Sequence, residues 1–88
     1  MRYEIVLARE AIQDLKRLKP RLRAQVTDAM ETHLRQEPTK ARKSRIKRLR
    51  GLSKPQDRLR VDAIRVFYDV STRTVEVLAI VMKADAEA

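Results

Sequence analysis

From Arg58 to Val81 the chain reads RLRVDAIRVFYDVSTRTVEVLAIV, three runs that alternate with period two across two short breaks. That period belongs to strands, and breaks this short join strands antiparallel, so the stretch predicts a β-meander. If Asp62 and Ala63 form a two-residue hairpin loop, Val61 pairs with Ile64, Arg60 with Arg65 and Leu59 with Val66. If Ser71 to Thr74 form the next turn, Val70 pairs with Val75 and Tyr68 with Val77. Opposed residues share a face, so these registers sort the sheet into two sides. Leu59, Val61, Ile64, Val66, Tyr68, Val70, Val75, Val77, Ala79 and Val81 fall on one side, which is the expected core face. Arg58, Arg60, Arg65, Phe67, Asp69, Glu76, Leu78 and Ile80 fall on the other. Two arginines in direct opposition destabilise a sheet unless an anion lies between them, which makes Arg60 and Arg65 the most informative pair in the chain.

Charge points the same way. Of 21 basic and 12 acidic residues, ten bases and one acid lie between residues 40 and 60, leaving eleven of each elsewhere. The whole excess of +9 therefore sits in one stretch that leads into the arginine face. A charge run is commonly a solvated face, but this concentration favours a polyanion, nucleic acid above all. The candidate binding residues are Lys40, Arg42, Lys43, Arg45, Lys47, Arg48 and Arg50, with Phe67 beside them. Phe67 is placed to stack on a base, as single-stranded RNA readers require. Alternatively it closes a small apolar patch with Leu78 and Ile80, and that second reading is the simpler one.

Upstream of the meander, Arg2 to Leu7 alternates, with Tyr3, Ile5 and Leu7 on one side, and predicts a first strand. The period then changes. Ala11, Ile12, Leu15 and Leu18 share a helical face, predicting an amphipathic helix from Arg9 to about Lys19. Pro20 ends it and opens a second helix, on which Leu22, Val26, Ala29 or Met30, and His33 or Leu34 recur until Glu37-Pro38. Thr39 to Ser44 reads as a basic connector, Arg45 to Leu49 as a short strand or loop, and Gly51 to Gln56 as a loop. Lys83 to Ala88 has helix-forming composition in a segment too short to be stable alone.

The expected fold is α+β in one domain over residues 1–88: an N-terminal strand, an α-helical hairpin, then a mainly antiparallel β-meander with the helices on one face. A chain of 88 residues leaves much of its surface exposed on folding, so a stabilising partner is expected. It has no cysteine, which excludes disulfides and thiolate metal sites. No metal-ligand set, glycine-rich phosphate loop or nucleophilic triad stands in the sequence, and no cofactor is expected. No run approaches transmembrane length and the start lacks a signal-peptide core, so a cytoplasmic protein without membrane association is expected. His33 falls at a helical core or boundary position and reads as structural.

Four strings in order, YEIVLAREAIQDLKRL, KRLRGL, RLRVDAIRVFYDV and VEVLAIVMK, make the chain resemble the RelE/ParE superfamily of toxin–antitoxin toxins, on its RelE-like side. The resemblance covers essentially the whole length. It implies a toxin held in a hetero-oligomer by a cognate antitoxin. For a RelE-like member it implies a ribosome-dependent endoribonuclease, or mRNA interferase, that cleaves messenger RNA in the ribosomal A site and inhibits translation. For a ParE-like member it implies inhibition of DNA gyrase, and a basic binding protein without catalysis is the remaining alternative. Carried over by motif, Arg58 and Arg60 match the basic pair before the RVFY-type motif, and Arg65 the arginine that opens it. These would hold the scissile phosphate and assist 2′-hydroxyl attack and leaving-group protonation. RelE-type nucleases commonly have an arginine after the last strand and a tyrosine in the tail. Here the tail is MKADAEA, Lys83 is the nearest basic substitute, and no tyrosine follows Tyr68.

Overall fold

In the computed structural model, which describes residues 2–39, 46–49 and 55–82, seven elements follow one another. They are β1 (Glu4–Leu7), α1 (Arg9–Arg17), α2 (Pro20–His33), β2 (Ile46–Arg48), β3 (Asp57–Val61), β4 (Ile64–Val70) and β5 (Thr74–Met82). Strands β2 to β5 form the antiparallel meander, in sheet order β1-β5-β4-β3-β2. The first strand joins at the far edge and runs parallel to β5, with Glu4 opposite Thr74 and Leu7 opposite Val77. The sheet is therefore mixed. All but the first residue of the connector expected at Thr39 to Ser44, most of the Gly51–Gln56 loop and the Lys83–Ala88 segment lie outside the described residues.

The first hairpin has the register that its alternation predicts: Val61 opposite Ile64, Arg60 opposite Arg65, Leu59 opposite Val66. Asp62 takes a positive φ of 52° in the two-residue loop, a conformation that Asp tolerates better than most side-chain-bearing residues. The second hairpin begins as expected, with Val70 opposite Val75 and Tyr68 opposite Val77. It then slips. A bulge between Phe67 and Tyr68 leaves Leu78 without a partner in the ladder, and Phe67 faces Ala79, Val66 faces Ile80 and Arg65 faces Val81. One extra residue exchanges faces for everything beyond it. Ile80, expected on the arginine face, is a core residue 3% exposed, while Ala79 and Val81, expected in the core, share rows with Phe67 and Arg65. The exposed apolar patch of Phe67, Leu78 and Ile80 thus loses its third member.

The helices pack on the other face. Ala11, Val26, Met30 and Leu34 meet Ile46, Leu59, Val61, Ile64, Val66, Tyr68, Val75, Val77 and Ile80 in one buried cluster. Leu15, Leu18 and Leu22 are partly buried against it, whereas Ile12 turns out to solvent. Lys19 is extended, as a residue before proline prefers, and Pro20 opens α2 where its missing N–H costs nothing. Arg23 reaches back from α2 and donates to the carbonyls of Leu15, Lys16 and Leu18, satisfying the C-terminal end of α1. Beyond Val77, β1 no longer covers the outer edge of β5. There α1 supplies an acceptor: the Ile80 N–H donates to Asp14 Oδ2 at 3.0 Å.

Candidate nucleic-acid interface

Sheet register fixes what stands beside what on the face away from the helices. One row across the sheet holds Lys47, Arg58, Phe67 and Ala79. The next row toward the β3–β4 loop holds Arg60, Arg65 and Val81. The row on the opposite side of Phe67 holds Asp69, Glu76 and Val6. The open face is polarised, with cations toward the hairpin loop and a pair of opposed carboxylates at the other end.

The three arginines differ in setting. Arg60 is exposed and lies one residue before the end of β3 at the hairpin loop. Arg58 is half-buried, and its Nε is buried without a hydrogen-bond partner. Burial first, then the neighbouring charges of Arg65 and Arg60, pushes the Arg58 guanidinium below the ordinary arginine value. Arg65 is only 7% exposed, so the arginine face is not uniformly open as expected. Its Nη1 donates to the carbonyls of Asp62 at 2.8 Å and Ile64 at 3.2 Å, which turns the guanidinium back onto the loop that precedes it. That geometry accommodates the Arg60–Arg65 opposition without a carboxylate. Asp62 and Asp69, the acids that flank Arg65 in sequence, are engaged elsewhere, since Asp62 Oδ2 accepts from Gln25 Nε2 at 3.3 Å and Asp69 Oδ1 from the Gln56 N–H at 2.6 Å.

Arg48 stands apart from this group. Strand β2 pairs Arg48 with Asp57 and Lys47 with Arg58, so Lys47 belongs to the arginine face and Arg48 to the helix face. Its guanidinium lies 3.6 Å from Asp57 Oδ2, the exposed partner of a carboxylate whose side chain is 2% exposed. Burial raises the Asp57 carboxyl above the ordinary aspartate value, with Arg48 opposing and Asp69 reinforcing the shift. Asp57 shares its row with Tyr68, whose hydroxyl donates to the Pro38 carbonyl in the interior. Burial, together with the Asp57 charge, raises the Tyr68 phenol far above its ordinary value.

Of the residues singled out in the sequence, the fold brings together Lys47, Arg58, Arg60, Arg65 and Phe67. Lys40, Arg42, Lys43, Arg45, Arg50 and Lys83 lie outside the described residues. His33 sits at the end of α2, a helix on the face opposite the arginine rows. Two residues escaped the sequence reading. Ala79 reaches the site only through the bulge, for which the apolar run VLAIV carries no signal. Asp57 counted simply as the one acid of a basic segment, although its period-two position with Leu59 and Val61 placed it on the buried side. Among the described residues no three His, Cys, Asp or Glu side chains gather to hold a metal ion. No described helix is long and apolar enough to cross a membrane.

The sequence profile of the family described as the ParE toxin of type II toxin–antitoxin system, parDE, matches residues 5–86. No curated protein sequence matches the chain. Among solved structures, a chain of the RelBE2 toxin–antitoxin complex from Mycobacterium tuberculosis is 25% identical, with a TM-score of 0.79 over 93% of this chain and 99% of that one. A chain of the archaeal RelE–RelB complex from Pyrococcus horikoshii OT3 is 20% identical, with a TM-score of 0.76 over 94% of this chain and 97% of that one. A chain of the intact RelBE complex from E. coli is 19% identical, with a TM-score of 0.53 over 89% and 93% of the two.

Proposed function

Because the chain belongs to the ParE toxin family of type II toxin–antitoxin systems, within the RelE/ParE superfamily, it is the toxin of such a module, and we propose that it is a RelE-like, ribosome-dependent endoribonuclease acting in the cytoplasm on messenger RNA in the A site. The observation that carries this reading is the arginine group itself. Arg58, Arg60 and Arg65 occupy adjoining positions of two paired strands, no described carboxylate shares either of their rows, and Arg58 keeps a buried, unpartnered Nε. Desolvating one cation beside two others is costly, and a phosphate anion reverses that cost by supplying forked acceptors.

On this reading Arg58 and Arg60 take the non-bridging oxygens of the scissile phosphate, and Arg65 supports the pair from beside the loop. The 2′-oxygen attacks phosphorus as its proton departs. The bond to the 5′-oxygen breaks, and that oxygen takes up a proton. Charge builds on the phosphoryl oxygens in between, where guanidinium groups are most effective. Arginine does not serve as a ready general base, so the reaction depends on alignment of the three reacting atoms. A message held in the ribosome provides that alignment.

The structural relatives include toxins solved in RelB–RelE complexes. By analogy a cognate antitoxin covers this face and holds the toxin in a hetero-oligomer, its acidic side chains speeding association with the basic rows. A second reading, ParE-like inhibition of DNA gyrase, draws on the matched profile. Sequencing RNA 5′ ends after a pulse of expression separates the two. Cuts phased with the reading frame support the nuclease, whereas altered plasmid supercoiling with intact messages supports gyrase inhibition.

A further inference from the structure

The chain has three aromatic residues, Tyr3, Phe67 and Tyr68. Tyr3 and Tyr68 belong to the helix side, which leaves Phe67 as the aromatic of the cationic face. Its surroundings are set by the bulge. A strict register would place Leu78 directly opposite Phe67, but the slip puts Ala79 there. The ring therefore has the small methyl of Ala79 on one side and Arg58 on the other, with Lys47 one strand further on. Val66 and Tyr68, flanking it along β4, are fully buried, so the backbone that carries the ring is anchored in the core. The row of Arg60 and Arg65 lies two residues along the strand, a step of about 7 Å. A half-buried planar apolar ring, a small residue beside it and two rows of cations within a short reach match an unstacked nucleobase with its flanking phosphates.

We infer that Phe67 is the floor of a base-binding subsite: one unpaired base of a single-stranded RNA stacks on the ring beside Ala79, with its neighbouring phosphates on Arg58, Lys47 and Arg60. The inference rests on the nucleic-acid reading of this face and adds what that reading lacks, a contact that distinguishes a splayed single strand from any other polyanion. A phosphate clamp alone binds duplex and single strand by charge; a ring in the sheet accepts only a base freed from its stack. Polarity of the face agrees. Asp69 and Glu76 on the far side of Phe67 repel phosphate, so the strand enters and leaves by the arginine side.

The chain has no tryptophan, so Phe67→Trp creates a single fluorescent reporter at the subsite. The probes are a short single-stranded RNA, the same RNA with one abasic residue at successive positions, its duplex form, and inorganic phosphate. The expected result is quenching of the introduced indole's emission by the single strand, little quenching by phosphate or duplex, and loss of quenching with the abasic residue at one position. In the unmodified protein that abasic RNA should bind roughly tenfold more weakly. In Phe67→Leu, intact and abasic RNA should bind alike, with the salt dependence unchanged. Equal affinity of the unmodified protein for intact and abasic RNA overturns the subsite while sparing the phosphate clamp. A Phe67→Leu protein that binds RNA normally but loses only its co-expressed antitoxin overturns it too, and makes the ring a protein contact. Failure of every RNA to bind the unmodified protein at low salt removes the nucleic-acid reading along with it.

Discussion

Arg48 and Asp57 face each other across β2 and β3, an exposed guanidinium 3.6 Å from Oδ2 of a buried carboxylate, an oxygen that has no hydrogen bond. The pair joins the short edge strand to the sheet and leaves the neighbouring Lys47 to the opposite, cationic face. A basic residue counted with the nucleic-acid contacts is thus also the counter-charge of an interior acid.

Breaking that pair from one side should cost more than removing it whole. Arg48→Ala leaves Asp57 buried without its counter-charge and should lower stability by about 1–3 kcal/mol at neutral pH. Asp57→Asn should be close to neutral, and the double variant should recover most of the Arg48→Ala loss. Urea unfolding of the four proteins measures the coupling. Additive losses would show that the two side chains do not interact.

The acid also sets a pH dependence. Because the folded carboxyl titrates above the ordinary aspartate value of 3.8, the folded state holds the Asp57 proton more tightly than the unfolded chain. Its contribution to stability is fully present below that ordinary value and disappears as pH rises through the folded one. The difference in stability between Asp57→Asn and the unmodified protein should therefore shift toward Asp57→Asn as pH rises across that window. Thermal melts across mildly acid to neutral pH check the sign, and a difference moving the other way would place the carboxylate in a stabilising environment.

Tyr68→Phe should destabilise the fold by about 1–3 kcal/mol, because it strands the interior Pro38 carbonyl that the hydroxyl now satisfies. Stability of the unmodified protein should also fall above the ordinary tyrosine value of 10.0, since the unfolded chain releases the phenolic proton before the folded one does. Alkaline melts of the two proteins should converge.

Deleting Leu78 removes the unpaired residue of the bulge and forces strict alternation on β5. Ala79 would then stay opposite Phe67 and Ile80 opposite Val66, so Ile80 should keep its place in the core and most of the stability should be retained. Circular dichroism melts test this, and a loss of roughly 2–5 kcal/mol, the scale of a large-to-small core change, would contradict the observed register.

These cases also show how far the sequence reached. Period-two alternation and a two-residue break placed Arg60 opposite Arg65 and Val61 opposite Ile64, because a hairpin that short allows one register. The helical hairpin was legible from Pro20 and the spacing of Val26, Met30 and Leu34. The bulge was not, since VLAIV is apolar on both parities and nothing local marks which residue drops out of the ladder. Nor was the parallel docking of β1 on β5. That placement depends on where the helical hairpin returns the chain, and the alternation of Tyr3, Ile5 and Leu7 gives a face without giving a neighbour. For Arg48, a three-residue strand offers too few positions to fix its parity from pattern alone.

On the cationic face, Lys47→Ala should lower RNA affinity at low salt and reduce the slope of log affinity against log salt by about 0.7, the share of one phosphate contact on a single strand. Arg48→Ala should leave that slope nearly unchanged in protein that remains folded. Filter binding over a salt series separates the two, and equal slopes for both variants would contradict the assignment of Lys47 and Arg48 to opposite faces.

The most direct test of the central claim is the single-turnover rate of cleavage of one message, free in solution and fixed in the A site of a programmed ribosome. Cleavage should be fast on the ribosome and barely detectable on free RNA, because the arginines stabilise charge while the ribosome supplies the alignment. Arg58→Ala and Arg60→Ala should each lower the ribosomal rate by about 100-fold or more, the scale of losing one oriented donor at a developing charge, with ribosome binding largely retained. Equal rates on both substrates would contradict ribosome dependence, and absence of cleavage on either would contradict the nuclease itself.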